Sequence, residues 1–307
     1  MTLTAPPETP PDPQSPRPTG RWKLAKLPLV VAVVCLLGVA VLLYPAGASW
    51  FSSIAQAEQL GGYSHDVKVI GPAGREQALT DARAYNATLT GNAALAANTR
   101  LPLVKDANEA AESNYAQVLA ADPYGLMARI KIPSIDADLP IFHGTSDTVL
   151  QEGIGHLEGT SLPVGGIGSH SVLTGHRGLA TSTLFTHLDQ VKVGDTFTIE
   201  VFGEVLTYQV NSTKVVQPDQ TQSLYPQPGK DLVTLVTCTP LGINSERILV
   251  TGERILPTPP KDVASADKKS EIAFPWWMVG LGGAILLTGV YVWASGRSPR
   301  LRNRRAA

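Results

Sequence analysis

Cysteine is scarce. The 307-residue chain holds two, Cys35 and Cys238. Cys35 lies inside an apolar run and Cys238 far outside it, so the two are not expected to pair, and a disulfide framework is excluded. His170 and His176 stand six apart with no Cys pair nearby, so zinc-ligand spacing is missing as well. No metal and no cofactor is expected. Charge is thin, at 17% Asp, Glu, Lys and Arg, and it is unevenly spread. Residues 1–26 carry Arg17, Arg21, Lys23 and Lys26 against Glu8 and Asp12, and residues 295–307 carry five arginines and no acid. The middle of the chain keeps 16 basic residues against 24 acidic ones, a net of −8. Phosphate backbones are held by clustered Lys and Arg, so this balance argues against a nucleic-acid partner.

What the chain does have is two long apolar blocks. Leu27 to Tyr44 is interrupted only by Pro28. At ~1.5 Å per residue it is about 27 Å long, close to the thickness of a bilayer's hydrocarbon core. The basic residues ahead of it place the N-terminus in the cytoplasm. Ala46-Gly47-Ala48 would fit a signal-peptide cleavage site. The apolar run is longer than the ~7–15 residues of a signal peptide and follows a long tail, so an uncleaved anchor is expected. Phe274 to Ala294 is the second block, with Trp276 and Trp277 at one end and Tyr291 and Trp293 at the other, the pattern of an aromatic belt. Both termini are then cytoplasmic and residues 45–273 extracellular. An unpaired Cys238 in an oxidising compartment points to a reactive thiol.

Seven stretches follow. Residues 1–26 are a Pro-rich disordered tail and 27–44 a transmembrane helix. Residues 45–124 are helix-prone: Leu79, Ala82, Tyr85 and Leu89 recur at helical spacing, and Asp106 with Glu109 signals a second helix carrying Tyr115, Val118 and Leu119. A loop over Gly91 to Pro102 separates them. Residues 125–256 have strand periodicity. Expected strands are Ala128–Ile132, Asp138–Phe142, Ser171–Thr174, Phe197–Val201 with Leu206–Val210 as a hairpin, a short continuation at Val215–Val216, Leu232–Thr237 and Arg247–Ile255. Many short strands with Gly and Pro turns suggest a closed barrel or a sandwich. Residues 257–273 are a linker, 274–294 the second transmembrane helix and 295–307 a basic cytoplasmic tail.

The chemistry centres on Thr234-Leu235-Val236-Thr237-Cys238-Thr239-Pro240. An apolar, β-prone run from Leu232 to Val236 predicts a buried strand, and Pro240 ends it, so a thiol is held at the lip of a rigid element. A thiolate attacks amide carbonyls far better than a thiol, and free cysteine has a pKa of about 8.5, so Cys238 needs a proton partner and a cation. Six histidines lie outside the apolar blocks: His65, His143, His156, His170, His176 and His187. Residue type alone does not choose among them. The Cys-Gly-x-Cys-Trp signature of papain-like enzymes is absent.

Three motifs in order carry a resemblance: Thr174-Gly175-His176-Arg177-Gly178, then Thr234 to Pro240, then Asn244-Ser245-Glu246-Arg247. T-G-H-R-G, T-L-x-T-C-x-P and N-x-x-R, over roughly Gly125 to Arg254, resemble the sortases, the cysteine transpeptidases of Gram-positive cell surfaces. The resemblance implies a mainly β fold, an eight-stranded barrel, here preceded by N-terminal helices and flanked by two transmembrane helices. It implies Cys238 as nucleophile, His176 as general acid and base, and Arg247 as the stabiliser of oxyanion and substrate. Arg177 and Arg254 receive no role. The implied substrates are surface or pilin proteins bearing an LPxTG-like signal, cleaved between Thr and Gly and joined to an amine. Leu256-Pro257-Thr258 is not itself such a signal, because Pro259 and Pro260 follow it.

Two membrane spans, an extended region before the barrel and the run His156 to Pro163 look like class C, the pilin-polymerising sortases. A housekeeping sortase using a cell-wall precursor amine and an inactive surface scaffold are the alternatives. Class C enzymes often carry an Asp-Pro-aromatic lid over the cysteine. Asp122-Pro123-Tyr124 matches in letters and is the candidate lid, although it directly precedes the first strand.

Overall fold

Strand formation begins where the sequence changes from helical to two-residue periodicity, and from there eight strands close into a barrel. They are β3 Leu126–Ile132, β4 Ala137–His143, β5 Ile154–His156, β6 His170–Thr174, β7 Thr196–Val201, β8 Glu204–Val216, β9 Leu232–Thr239 and β10 Glu246–Arg254. The closed order is β10-β8-β7-β3-β4-β5-β6-β9. All neighbours are antiparallel except β4 with β5 and β6 with β9. The computed structural model describes residues 22–89, 93–95, 102–104, 114–266 and 268–297, with 93–95 and 102–104 as backbone. Two compact units emerge, residues 1–43 with 276–307, and residues 44–275.

Alternation built the barrel as the sequence predicts. Phe197, Ile199 and Val201 are buried, and so are Tyr208 and Leu206 opposite Phe197 and Ile199, and Val210 beyond them. Two strands differ from expectation. The Leu206 and Val215 pieces are one thirteen-residue β8, because Ser212 to Val216 stay paired with β10 although the alternation lapses there. β5 was not expected: it is three residues long and includes Gly155, too short for any period to show. A six-residue helix, α2 Asp147–Glu152, makes the crossover that lets β5 run parallel to β4, its first turn capped by Ser146 Oγ accepting from Val149 N.

Ahead of the barrel, α1 runs from Lys26 to Thr88. The helix does not stop at Tyr44 as expected; it breaks at Gly71, where φ is 75° and ψ is 172°. Glycine takes that conformation without steric cost, and Pro72 then starts the next helical piece with a preset φ. Within the larger unit, Leu60, Tyr63 and Val67 form one buried helical stripe and Leu79, Ala82 and Tyr85 a second. The Tyr63 hydroxyl donates to Met127 O at 3.1 Å and accepts from Phe202 N at 2.8 Å, fixing the helix against β3 and the β7–β8 turn. The expected second helix start at Asp106 and Glu109 lies outside the described residues. In the expected Gly91–Pro102 loop, β1 Ala93–Leu95 pairs antiparallel with β2 Pro102–Val104.

The stretch 257–273 is not the free linker its composition suggests. It contains α3 Pro260–Ala266 and is strapped to the barrel wall. Arg129, whose side chain is 3% exposed, grips Asp138 with two bonds of 2.6 Å and donates to Ala266 O, Lys268 O and Ser270 Oγ. Lys131 Nζ donates to Ser265 O at 2.6 Å, and Thr207 Oγ1 to Asp262 Oδ2 at 2.9 Å. A buried guanidinium is tolerable because its donors are matched by a carboxylate and carbonyls.

The smaller unit pairs the start of α1 with α4 Trp276–Ser295. Both are long and apolar enough to cross a membrane, and their apolar windows are almost wholly exposed, as expected where lipid is the solvent. Trp22 Nε1 donates to Trp293 O, and the Arg297 guanidinium lies 3.5 Å over the Trp293 ring. Both helices are thus candidate membrane spans by length and composition.

His156 ties the segment before β3 to β5. The Tyr115 hydroxyl donates to its Nδ1 at 2.8 Å, and its Nε2 donates to Ser161 O at 2.9 Å. Burial lowers its pKa to about 3, and burial lowers those of His143 and His170 too. Above pH about 6.5 these rings are neutral in folded and unfolded chains alike. Below it the unfolded chain takes up protons that the folded chain refuses. Stability is expected to fall as the pH drops from about 6.5 toward 3, by up to roughly 1.4 kcal/mol per pH unit for His156 alone. Urea unfolding at pH 7 and pH 5 checks this; equal stability at both would contradict it.

Candidate active site

β9 is buried from Leu232 through Thr237, and only Cys238 and Thr239 are half-buried. The sequence dictates this: apolar residues and threonine hydroxyls with internal partners fill the wall, and the chain leaves the barrel at Pro240. The thiol therefore stands at the rim, where a substrate carbonyl can reach it. A six-residue turn returns the chain as β10, whose register sets Arg247 opposite Cys238. Arg247 Nη1 donates to Asn244 O at 2.8 Å and Glu246 O at 3.0 Å, so the turn itself orients the guanidinium. Asn244 takes the left-handed conformation that aims its carbonyl there, with φ 59°. Leu241 and Ile243 expose apolar surface on the same turn.

β6 supplies the third group. It runs parallel to β9 with Thr174 opposite Val236, and Gly175 N donates to Val236 O at 3.0 Å. The pairing ends there, so His176 lies two residues past Thr174 as Cys238 lies two past Val236. Thr237 Oγ1 donates to Gly175 O at 2.7 Å, a second tie between the two segments. The glycines of T-G-H-R-G have separate reasons. A Cβ on Gly175 would lie 2.7 Å from Ile154 Cδ1 and from Phe185 Cδ2, so the close packing admits none. Gly178 has φ +75°, and a side chain there would strike Leu241.

Of the six histidines, His176 is the one that directly follows the Gly175 bonded to Val236 and Thr237. His156 and His170 are buried in wall contacts, His170 between Tyr225 O at 3.0 Å and Thr234 Oγ1 at 2.7 Å. His143 sits between Gly125 O and Val118 O, and His65 and His187 are exposed. Cys238 and Arg247 are paired across β9 and β10, and with His176 they offer a nucleophile, a proton carrier and a fixed cation. Among the described residues no group of three or more His, Cys, Asp and Glu side chains is set to hold a metal.

Asp122, Pro123 and Tyr124 lie in the turn ahead of β3. Asp122 Oδ1 accepts from Tyr124 N and Leu126 N, both at 2.9 Å, and so closes the turn that feeds β3. Tyr124 is 83% exposed. β3 and β9 are four places apart in the ring of eight, on opposite walls.

Sequence reasoning passed over Arg177. Its Nη1 donates to Thr239 Oγ1 at 2.9 Å, its Nη2 to Asp189 Oδ2 at 2.6 Å and its Nε to Thr186 O at 3.2 Å. Its position beside His176 was the one signal in the sequence, and its partners were not visible there.

A family model of the sortase domain matches residues 130–255. Among curated proteins, sortase D of Bacillus subtilis is 31% identical over 129 residues, which is 41% of this chain and 62% of that protein. The chain thus spans less than two thirds of that relative. Among solved structures, sortase C-1 from Actinomyces oris is 48% identical, covering 60% of this chain and 99% of its own, with a TM-score of 0.54. Sortase A from Corynebacterium diphtheriae is 41% identical, covering 68% and 94%, with a TM-score of 0.58.

Proposed function

The chain belongs to the sortase family, and from that premise we propose that it is a membrane-anchored cysteine transpeptidase with Cys238, His176 and Arg247 as its catalytic residues. The Cys238 thiolate attacks the Thr–Gly carbonyl of an LPxTG-like signal. Arg247 donors hold the oxyanion as it forms. The tetrahedral intermediate collapses, His176 gives its proton to the departing glycine amine, and a thioester joins the substrate to Cys238. An amine then attacks the thioester, His176 takes its proton, and the thiolate is released as a new amide bond forms. The observation that supports these roles is that β6 and β10 flank β9: β10 pairs Arg247 with Cys238, and β6 ends two residues before His176 with Thr174 paired to Val236.

The acceptor we propose is a lysine of a pilin, giving an isopeptide-linked fibre. The second apolar helix and the 48% identity to sortase C-1 from Actinomyces oris support this. The basic tails at both ends support cytoplasmic termini and an extracellular barrel. Anchoring of surface proteins to a cell-wall precursor is the second reading, favoured by the 41% identity to a sortase A. The test mixes the full chain in detergent with a pilin bearing an LPxTG tail and its lysines, and resolves products on a denaturing gel. A ladder of covalent multimers supports polymerisation. An acylated enzyme that yields single-copy products with small amines, and no ladder, moves the assignment to the second reading.

A further inference from the structure

The two reacting side chains, on Cys238 and His176, come from segments held together by few bonds. Beyond Gly175 the regular pairing of β6 with β9 ends. His176 and Cys238 must nonetheless keep a separation set to a fraction of an ångström, because misplacing a catalytic group by about 1 Å costs on the order of 10²-fold in rate. Something past Gly175 has to fix that gap.

Side chains alternate along an extended chain. If His176 and Cys238 face the cleft, their successors Arg177 and Thr239 face the other way. Those successors are bonded to each other, Arg177 Nη1 to Thr239 Oγ1 at 2.9 Å. The bond joins the residues that directly follow the reacting pair. The guanidinium is held in turn by Asp189 at 2.6 Å and by Thr186 O, with the Arg177 side chain only 10% exposed. The loop from 178 to 189 is drawn into the same arrangement: Gly178 N donates to Thr186 Oγ1 at 3.1 Å, and Phe185 N to His176 O at 3.0 Å. A planar fork with three acceptors in fixed directions suits this task, and a lysine would not replace it.

We propose that Arg177 is a positioning residue for the Cys238–His176 pair, bolting the two segments together from the face opposite the reacting groups, with Asp189 holding the bolt. The proposal rests on the transpeptidase reading of the site. It makes Thr239 and Asp189 its necessary partners.

The test uses the full chain in detergent micelles with an LPxTG peptide and a small amine. Arg177→Met and Thr239→Val are each expected to lower kcat about 10- to 100-fold, with KM changed less than about two-fold. Thr239→Ser keeps the hydroxyl and should recover most of that loss. The double variant should be little worse than either single one, because both remove the same bond. A readout independent of substrate is the pH profile of Cys238 alkylation by iodoacetamide. His176→Ala should alter the wild-type profile, and Arg177→Met should move it toward that of His176→Ala, with thermal unfolding little changed. Wild-type kcat and a wild-type alkylation profile in Arg177→Met would overturn the proposal. So would a kcat loss that tracks the unfolded fraction and leaves the alkylation profile unmoved. A wild-type enzyme that turns over no sorting peptide would count against the transpeptidase reading, and the alkylation profiles would still decide the role of Arg177.

Discussion

Replacing Cys238 by alanine is expected to abolish turnover, lowering kcat by at least about 10⁴-fold, because the proposed thioester forms on its sulfur and the other cysteine of the chain, Cys35, lies in an apolar block. The loss should be chemical and not structural. Cys238 follows six buried residues of β9 and is itself half-buried, so the wall is complete without the sulfur. Alanine keeps the strand's backbone pairing with Glu246 and Arg247, since only a thiol is removed. Circular dichroism and the unfolding midpoint should stay near wild type while product formation disappears. More than about 1% residual transpeptidation would mean that another group carries the acyl intermediate.

Replacing Arg247 by alanine is expected to cost roughly 10² to 10³ in kcat, about 2.7–4 kcal/mol of transition-state stabilisation, the range found when one oxyanion donor is lost. The guanidinium is oriented before substrate arrives, through Nη1 on Asn244 O and Glu246 O. Among the described residues its Nε and Nη2 make no hydrogen bond, so those donors are available to a charge developing beside Cys238. Because that charge exists in the transition state and not in the ground state, kcat should fall more than KM rises. Arg247→Lys keeps the charge and loses the fork, so its rate should lie between alanine and wild type. Steady-state kinetics on a fluorogenic LPxTG peptide checks all three. A near-normal rate for Arg247→Ala would remove Arg247 from the mechanism.

Some of this architecture is legible in the sequence and some is not, for physical reasons. Phe197, Ile199 and Val201 announce a strand because one wall of a barrel buries every second residue. Cys238 and Arg247 can be paired by eye, because a short turn between two apolar runs makes a hairpin. His176 cannot: the parallel contact between β6 and β9 joins positions 62 residues apart, and nothing local records it. Only the family resemblance singles it out of six. The strap over 257–273 is hidden because Arg129 binds its backbone carbonyls, which every sequence possesses. Arg177 has one partner twelve residues on and one 62 residues on, in a loop and at a strand end. In Asp122-Pro123-Tyr124 the turn made by the aspartate is legible only from the structure.

The most direct test of the central claim is the intact mass of the full-length enzyme after brief mixing with an LPxTG peptide at limiting acceptor amine. The account predicts an added mass equal to the peptide up to and including threonine, removable by hydroxylamine, mapped to Cys238 and absent in Cys238→Ala. An enzyme whose Cys238 is alkylated by iodoacetamide yet acquires no such adduct from any of several sorting peptides would contradict it.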